Sequence, residues 1–452
     1  MSNVAHAFVS SRVVVDGEIR PAAVLVDDRG TIVDVVRPRE RPLDIDVTDI
    51  VHDVLMPGLV DSHVHVNEPG RTAWEGFASA TQAAARGGVT TLVDMPLNSL
   101  PPTTTVAAFE EKLAAAQGQL AVDVGFWGGV VPGNHKELAS LVMRGVLGFK
   151  CFLIDSGVPE FPNVVERDLE RALAILREAG VPLLTHAELQ GPIDRAPRST
   201  APHTSYRFHL ESRPKASENE AVDMMIALAR KHQTHVHIVH HSSSEALLAL
   251  ERARSDGVRI TAETCPHYLS FAAEDIEDKA TWFKCTPPIR ERENQAALWD
   301  ALQRGVLDAV VSDHSPCTAA LKKMELGDFD AAWGGISSLQ VTLPATWTGA
   351  RARGNTLVDV VRWMSEQPAK LAGLKTKGAI KRGNDADLVA FDPDARFVVD
   401  QELLAHKNKI TPYHGRELAG VVRATWLRGA QVYRRGDDVT MRNGRMLLGG
   451  TT

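Results

Sequence analysis

Short apolar runs alternate with segments of helical periodicity through most of the chain. The runs lie at residues 88–96, 120–128, 145–153, 181–188, 234–242, 258–268 and 308–316. The helices that precede them are predicted near residues 74–86, 106–117, 135–143, 166–179, 218–232, 244–255 and 293–304. The apolar run within residues 54–70 adds an eighth strand at the start of the series. Parallel strands are buried on both faces and read as continuous apolar runs, so this alternation predicts an α/β fold of the (β/α)8 TIM-barrel type.

A doubly wound parallel sheet is the competing interpretation of the same alternation. Folds of that kind that bind nucleotides carry a glycine-rich turn directly after a strand. No GxGxxG motif follows any of the predicted strands, and the chain has no P-loop. The barrel is therefore the preferred prediction.

Both ends of the chain differ from the middle, because short strands there are separated by turn residues. Residues 1–56 contain the DG and RG pairs typical of hairpin turns, and similar segments recur from about residue 378. The two termini of a chain often lie close together. We therefore expect residues 1–56 and 378–436 to build one small β-sandwich domain beside a barrel formed by residues 57–377. Residues 437–452 are expected to form a polar tail, to which we assign no role.

The composition places the protein among ordinary globular proteins, with 44% hydrophobic and 24% charged residues in 452. The net charge of −7 gives no support for nucleic-acid binding, which requires a basic surface. No apolar run approaches the ~18 residues of a membrane span, and the first residues do not resemble a signal peptide. The four cysteines are widely spaced, which argues against a disulfide scaffold and favours a cytoplasmic location.

Polar residues end several of the predicted strands. In a barrel the active site forms where the strands end at their carboxyl side. The residues found there are His63, His65, Asn98, Lys150, His186, His240, His241, His267, Asp313 and His314. His63 and His65 are two residues apart, so on a strand their imidazoles point the same way. One such histidine is commonly structural, but several strands ending in this manner favour a metal site.

Lys150 lies in the middle of the apolar run GFKCFL. A lysine buried there would carry an uncompensated ammonium group, which is costly unless its pKa falls or it finds a partner. A neutral lysine amine can add carbon dioxide to form a carbamate, whose two oxygens are able to bridge two cations. The alternative is an ion pair between Lys150 and an aspartate inside the barrel.

Motifs spread over much of the chain resemble those of the cyclic amidohydrolases of the amidohydrolase superfamily, which include dihydroorotases, dihydropyrimidinases (hydantoinases) and allantoinases. They are DSHVHVNEPG, GFKCFL, THAE, IVHHSSSEAL, TAETCPHYL, KCTPPIR, VSDHSPC and KGAIKRGNDADLV. Within this group the segments EPGRTAWEG, PLNSLPPTT, YRFHLESRP and WGGISSLQVTLP are most similar to those of allantoinases. The resemblance covers about residues 57–393.

The resemblance implies two divalent metal ions per subunit, with zinc expected first and manganese, cobalt, nickel or iron as alternatives. The ligands that it implies are His63, His65, Lys150, His186, His240 and Asp313. Lys150 would be carboxylated on its side-chain nitrogen and would bridge the two ions together with a hydroxide. His240 is preferred over His241 because it falls on the histidine of the family pattern, and adjacent strand residues face opposite ways.

The resemblance also implies a reaction. The bridging hydroxide would attack a cyclic amide, and Asp313 would carry its proton to the leaving nitrogen, which opens the hydantoin ring of allantoin to allantoate in purine degradation. The residues expected to contact the substrate are Asn98, Cys285, Thr286, Cys317 and His267. For His267 a structural role in the CPHY turn is an equal alternative. We expect a small-molecule substrate and a homo-oligomer, either a dimer or a tetramer.

Two alternatives remain open. The first is a sister activity: dihydroorotases usually place an arginine two residues after the histidine pair, where this chain has Asn67, but hydantoinase or dihydropyrimidinase activity is harder to separate. The second is a scaffold relative that keeps the barrel and has lost its ligands. All six ligand positions are filled here, which disfavours the scaffold.

Overall fold

The computed structural model describes residues 4–439 and 441–450. Its strands are β1 (Val4–Val15), β2 (Glu18–Asp27), β3 (Ile32–Val36), β4 (Asp46–Ile50), β5 (Val54–Pro57), β6 (Leu59–Val64), β7 (Val89–Asp94), β8 (Asp123–Phe126), β9 (Gly128–Gly129), β10 (Phe149–Phe152), β11 (Leu183–His186), β12 (Val236–Ile238), β13 (Ile260–Thr264), β14 (Ala309–Val310), β15 (Leu388–Val398), β16 (Glu417–Leu427), β17 (Ala430–Arg434) and β18 (Met446–Leu447).

The helices lie mainly between the barrel strands. They are α1 (Phe77–Arg86), α2 (Val106–Ala116), α3 (Leu138–Arg144), α4 (Glu166–Ala179), α5 (Gln190–Arg195), α6 (Tyr206–Ser212), α7 (Lys215–His232), α8 (Leu247–Ser255), α9 (Pro266–Ser270), α10 (Arg292–Arg304), α11 (Ala319–Lys322), α12 (Thr342–Ala352), α13 (Leu357–Val361) and α14 (Gln367–Leu371). Short 3-10 turns occur at Pro38–Glu40, Asn134–Lys136, Ser244–Ala246, Ala273–Asp275, Thr281–Phe283, Leu339–Val341 and Gln401–Leu403, and a π turn at Arg362–Glu366.

Eight parallel strand positions form the barrel, in the order β6, β7, β8 with β9, β10, β11, β12, β13 and β14. β8 and β9 are one strand interrupted at Trp127, whose backbone N–H donates to the Asp94 carbonyl. The barrel closes between its first and last strands, because the His65 N–H donates to the His314 carbonyl at 2.9 Å and Val64 bridges to His314. The predicted (β/α)8 fold is confirmed.

The small domain draws strands from both ends of the chain. β15, β16 and β17 join β5, β1, β2 and β3 in one hydrogen-bonded sheet, and β4 pairs with β1. β15 runs antiparallel to β5, with Leu388 opposite Pro57, and this pairing unites the two ends. Phe8, Leu55 and Trp426 lie in its apolar core. A β-rich domain built from both ends is therefore confirmed.

A buried ionic cluster joins the small domain to the barrel. Lys377 Nζ lies 2.6 Å from Asp123 Oδ2, 2.9 Å from Asp385 Oδ2 and 2.7 Å from Asp387 Oδ2. Arg428 Nη1 lies 2.6 Å from the same Asp123 oxygen. Removing one partner from such a buried group leaves charges uncompensated, so the cluster holds the two domains in one arrangement.

Part of the carboxyl-terminal segment extends the barrel wall. β18 pairs in parallel with β8, and the Arg445 N–H donates to Asp123 Oδ1 at 2.8 Å. Residues 437–452, of which 440, 451 and 452 lie outside the described residues, were predicted to form a tail without a role. The pairing was not visible in the sequence because β18 has only two residues and its partner lies more than 300 positions away.

The longer predicted helices occur within a few residues of their expected positions, whereas α9 and α11 to α14 were not predicted, and neither were α5 and α6. These two short helices fill the connection between β11 and α7, and the Tyr206 hydroxyl of α6 donates to the Ile289 carbonyl. Helices this short are stabilised by such packing more than by periodicity. Within residues 4–439 and 441–450, no helix combines the length and apolar character that crossing a membrane requires.

Candidate metal and active site

The carboxyl ends of the barrel strands surround a cavity of about 350 Å³. Strands β6, β10, β11 and β12 contribute side chains to it, either from the strand itself or from the two residues that follow it, and the segment after β14 contributes another. The six residues predicted as metal ligands all line this cavity; they are His63, His65, Lys150, His186, His240 and Asp313. Barrel closure thus brings together side chains that are up to 250 residues apart in the sequence.

His63, His65 and Asp313 form the first donor group. His63 Nε2 lies 3.2 Å and His65 Nε2 lies 3.5 Å from Asp313 Oδ1. The His63 atom nevertheless has no hydrogen-bond partner among the described residues. Donor atoms of the three residues lie within 4.8 Å of one another, close enough to hold one metal ion.

His186, His240 and Lys150 form the second donor group. His186 Nδ1 and His240 Nε2 are 2.9 Å apart, and the ring centroids of His63 and His240 are 5.4 Å apart, so the two groups adjoin. His241, the neighbour of His240, is buried and is not among the described residues that line the cavity.

Two buried glutamates hold the histidine rings from behind. Glu263 Oε1 lies 2.6 Å from His63 Nδ1, and Glu188 Oε2 lies 2.7 Å from His186 Nε2. A carboxylate at one ring nitrogen fixes the tautomer and leaves the other nitrogen free as a metal ligand. Neither glutamate was predicted, although both lie in quoted motifs, THAE and TAETCPHYL.

The site favours neutral imidazoles and an ionised aspartate. Burial lowers the pKa of His63, His186 and His240, and a neutral imidazole is the form that binds metal. Burial alone would raise the pKa of Asp313, but the adjacent His63 and His65 outweigh it, so the pKa of that carboxyl lies well below its usual range.

Lys150 is fully buried and its Nζ has no hydrogen-bond partner in the described part of the chain. Burial lowers its pKa from 10.5 to about 8. Other buried lysines are paired: Lys112 Nζ lies 2.5 Å from Asp94 Oδ2, and Lys377 lies among three aspartates. Among the described residues no carboxylate oxygen lies within 4.0 Å of Lys150 Nζ, so the alternative of a lysine–aspartate pair is not observed.

Several site residues have backbone conformations that residues other than glycine rarely adopt. The φ angles of Asn67, Asn98, His240 and Asp313 are +66°, +63°, +38° and +43°. Such conformations cost free energy and persist where the surrounding structure enforces them, which is common at active sites. Here they lie within four residues of the ends of β6, β7, β12 and β14.

The residues predicted to contact substrate divide into two sets. Asn98, Cys285 and Thr286 line the cavity, and Asn98 Nδ2 lies 3.5 Å from His65 Nδ1. Cys317 and His267 are buried and do not belong to the lining among the described residues. Their contact with substrate stays a prediction.

The cavity wall also contains residues that the sequence analysis did not select, among them Phe152, Arg213, Lys284 and Trp333. Lys284 Nζ donates to the carbonyls of Asp330 and Ala332, and so holds the loop that carries Trp333 against the cavity. Lys284 directly precedes Cys285 in the motif KCTPPIR. Its position in that motif is the feature of the sequence that could have identified it as a residue of the site.

His209 supports the backbone of Cys285, a residue that lines the cavity. Its Nε2–H donates to the Cys285 carbonyl at 2.8 Å, and burial lowers its pKa to about 3, so the ring stays neutral and keeps that proton. His209 lies in α6, within the quoted motif YRFHLESRP. The motif carries the family resemblance, but no role for its histidine was predicted from the sequence.

Comparisons with known proteins agree with this geometry. The model of the Amidohydrolase family matches residues 54–432. The chain is 49% identical to the allantoinase of Streptomyces avermitilis over 99% of both chains, and 45% identical to that of Saccharomyces cerevisiae over 96% of both. Its structure is similar to the L-hydantoinase of Arthrobacter aurescens, with a TM-score of 0.93, 28% identity, and 99% and 100% of the two chains covered. The chain belongs to the amidohydrolase family.

Proposed function

We propose that this protein hydrolyses the cyclic amide of the hydantoin ring of allantoin to give allantoate, a step of purine degradation. The observation that carries the proposal is the buried Lys150, whose Nζ has no hydrogen-bond partner among the described residues and which lies among five other potential metal ligands at the carboxyl face of the barrel. The names of the relatives at 45–49% identity support allantoin as the substrate.

The donor set fits a pair of divalent metal ions. Two buried side-chain atoms of residues that line the cavity, Lys150 Nζ and His63 Nε2, have no hydrogen-bond partner among the described residues, and buried polar atoms normally do. His63, His65 and Asp313 would hold one ion, and His186 with His240 the other. Imidazole and carboxylate donors suit zinc first, and manganese, cobalt, nickel or iron as well.

Lys150 would complete the site as a carbamate. Because its pKa is lowered to about 8, about half of the Lys150 side chains are neutral amines at pH 8. The neutral amine adds to carbon dioxide with release of one proton. The product is an anion with two oxygens where a cationic ammonium stood. This change removes the cost of the buried positive charge and adds ligands for both ions.

Bound metal ions would lower the pKa of a water molecule and polarise the ring carbonyl. The chain supplies the proton transfer. Asp313, whose Oδ1 lies 3.2 Å from His63 Nε2 and 3.5 Å from His65 Nε2, would accept a proton from the attacking water and deliver it to the ring nitrogen as the carbon–nitrogen bond breaks. The water oxygen stays on the carbonyl carbon as a carboxylate, and the ring opens to a ureido acid.

Glu263 and Glu188 support this chemistry indirectly. Each accepts a hydrogen bond from a histidine of the site and keeps the ring in one orientation. We also propose that the chain acts as a homo-oligomer, a dimer or a tetramer, and that it resides in the cytoplasm. The four free, buried cysteines agree with a reducing compartment.

A substrate panel tests the proposal. Protein loaded with a defined metal in the presence of bicarbonate is assayed with allantoin, hydantoin, dihydrouracil and dihydroorotate. We expect the highest kcat/KM for allantoin. Faster opening of hydantoin or dihydrouracil would assign the chain to the hydantoinases instead, and far fewer than two metals per subunit after loading would favour a scaffold role.

A further inference from the structure

A second group of metal-binding donors lies beside the first and shares one residue with it. Cys265 Sγ, a ring nitrogen of His267 and a carboxylate oxygen of Asp313 lie within 4.8 Å of one another. Cys265 and His267 are both 0% exposed. Sulfur, imidazole nitrogen and carboxylate oxygen together make a donor set typical of zinc.

His267 is the residue that points to a ligand. Neither of its ring nitrogens has a hydrogen-bond partner in the part of the chain that the structure describes. Buried polar groups are otherwise nearly always paired, because an unmade hydrogen bond costs the desolvation of the group. A structural turn histidine would use at least one nitrogen in a hydrogen bond, so that alternative does not account for the arrangement.

The local backbone explains why the two side chains meet. Cys265 follows the end of β13 and is the residue that precedes α9, with an extended backbone at φ −122° and ψ 152°. Pro266 then begins the helix and His267 lies in its first turn. The turn from strand to helix directs both side chains toward Asp313, which follows β14, the neighbour of β13 in the barrel.

We propose that Cys265, His267 and Asp313 form a third cation site, selective for zinc and similarly soft divalent ions. Zinc bond lengths of about 2.0–2.3 Å place tetrahedral ligands roughly 3.3–3.8 Å apart, so small side-chain rotations bring the three donors to binding distance. Binding requires the Cys265 thiol to release its proton, because the thiolate is the form that binds metal. This set includes a sulfur ligand, which the metal pair of the proposed active site lacks.

The site has a consequence for catalysis that rests on the proposed function. Asp313 belongs to both donor groups, so a cation held by Cys265 and His267 competes for its carboxylate with the ion held by His63 and His65. A carboxylate engaged in this way no longer carries protons between water and the ring nitrogen. Zinc beyond two equivalents therefore inhibits ring opening.

The binding test uses full-length protein loaded with two equivalents of zinc and then titrated with Co²⁺. Cobalt bound to a cysteine gives a thiolate-to-cobalt absorption in the near ultraviolet, and no ligand proposed for the metal pair is a cysteine. We expect this absorption to saturate at one further equivalent, to vanish in Cys265→Ser, and to require at least about tenfold more cobalt in His267→Asn.

Cys151→Ser is the matched control, because Cys151 is also buried but its Sγ lies against Thr185 Oγ1 at 3.6 Å. The absorption should persist in that variant. Wild-type protein without the absorption, or an absorption that persists in Cys265→Ser, would overturn the third site, and the wild-type result does not depend on the folding of any variant.

The kinetic test measures allantoin ring opening against zinc concentration, relative to the activity of each variant at two equivalents. We expect the zinc concentration for half-inhibition to rise at least about tenfold in Cys265→Ser. Equal inhibition of both proteins would overturn the competition for Asp313. If the cobalt absorption appears but allantoin is not hydrolysed, the proposed function fails and the third site stands.

Discussion

Replacement of Lys150 by methionine should stabilise the metal-free protein while it abolishes activity. In the absence of carbon dioxide and metal, the buried ammonium has no hydrogen-bond partner among the described residues and lies over the face of the Phe152 ring, 5.0 Å from its centroid, and burial lowers its pKa from 10.5 to about 8. That difference corresponds to about 3 kcal/mol at 1.36 kcal/mol per pKa unit. Methionine has a similar length, is flexible and packs well in apolar surroundings, so it removes the charge without leaving a large cavity.

The effect has a defined pH dependence. Unfolded protein holds the Lys150 proton up to a pH near 10.5, whereas folded protein releases it near pH 8. Unfolded chains therefore bind more protons between these values, and the stability of the wild type rises with pH in that window. The advantage of Lys150→Met should be complete below pH 8 and should disappear as the pH approaches 10.5.

The measurement is denaturant unfolding of both metal-free proteins at pH 7 and pH 10, with carbon dioxide excluded. Lys112→Met is the control, because the Lys112 ammonium is buried beside Asp94 and its removal should destabilise by about 3–5 kcal/mol. A loss of stability in Lys150→Met at pH 7, or a difference between wild type and variant that does not change with pH, would refute this account of Lys150.

Three further outcomes are expected. Asp313→Asn should reduce kcat about 10²–10⁴-fold while metal content falls much less, because the amide keeps an oxygen donor but cannot accept the proton. Kinetics and metal analysis of the same preparation measure the two quantities. Glu263→Gln should weaken metal binding about 10–100-fold, measured by chelator competition, with activity recovering at excess metal since His63 keeps its place. Lys377→Met should destabilise the protein by about 3–5 kcal/mol in denaturant unfolding, because Asp123, Asp385 and Asp387 lose their shared cation.

Each of these outcomes has a result that contradicts it. Proportional loss of metal and activity in Asp313→Asn would make the aspartate a ligand without a role in proton transfer. Unchanged metal affinity in Glu263→Gln would remove the positioning role of the glutamate. For Lys377→Met, unchanged stability together with tight binding of a divalent cation would show that the three aspartates form a metal site rather than an ion-pair cluster.

Much of the fold could be predicted from the sequence because its signals are local. Buried parallel strands such as β7 and β11 read as apolar runs, and helices such as α4 read as amphipathic periods. Short elements could not be predicted this way. β18 is a strand only because β8 is beside it, and α6 is fixed by a hydrogen bond to the carbonyl of Ile289.

By itself, the sequence determined which chemistry-bearing residues end the barrel strands, since strand ends can be located from the apolar runs that precede them. Only the tertiary structure decided which of those side chains meet. Glu263 lies 200 positions from His63, and Asp313 is 48 positions from Cys265, so their contacts depend on the closure of the barrel. That Lys150 Nζ has no hydrogen-bond partner within residues 4–439 and 441–450 is likewise a property of the folded interior, because whether a buried charge is compensated depends on every neighbour that the fold brings to it.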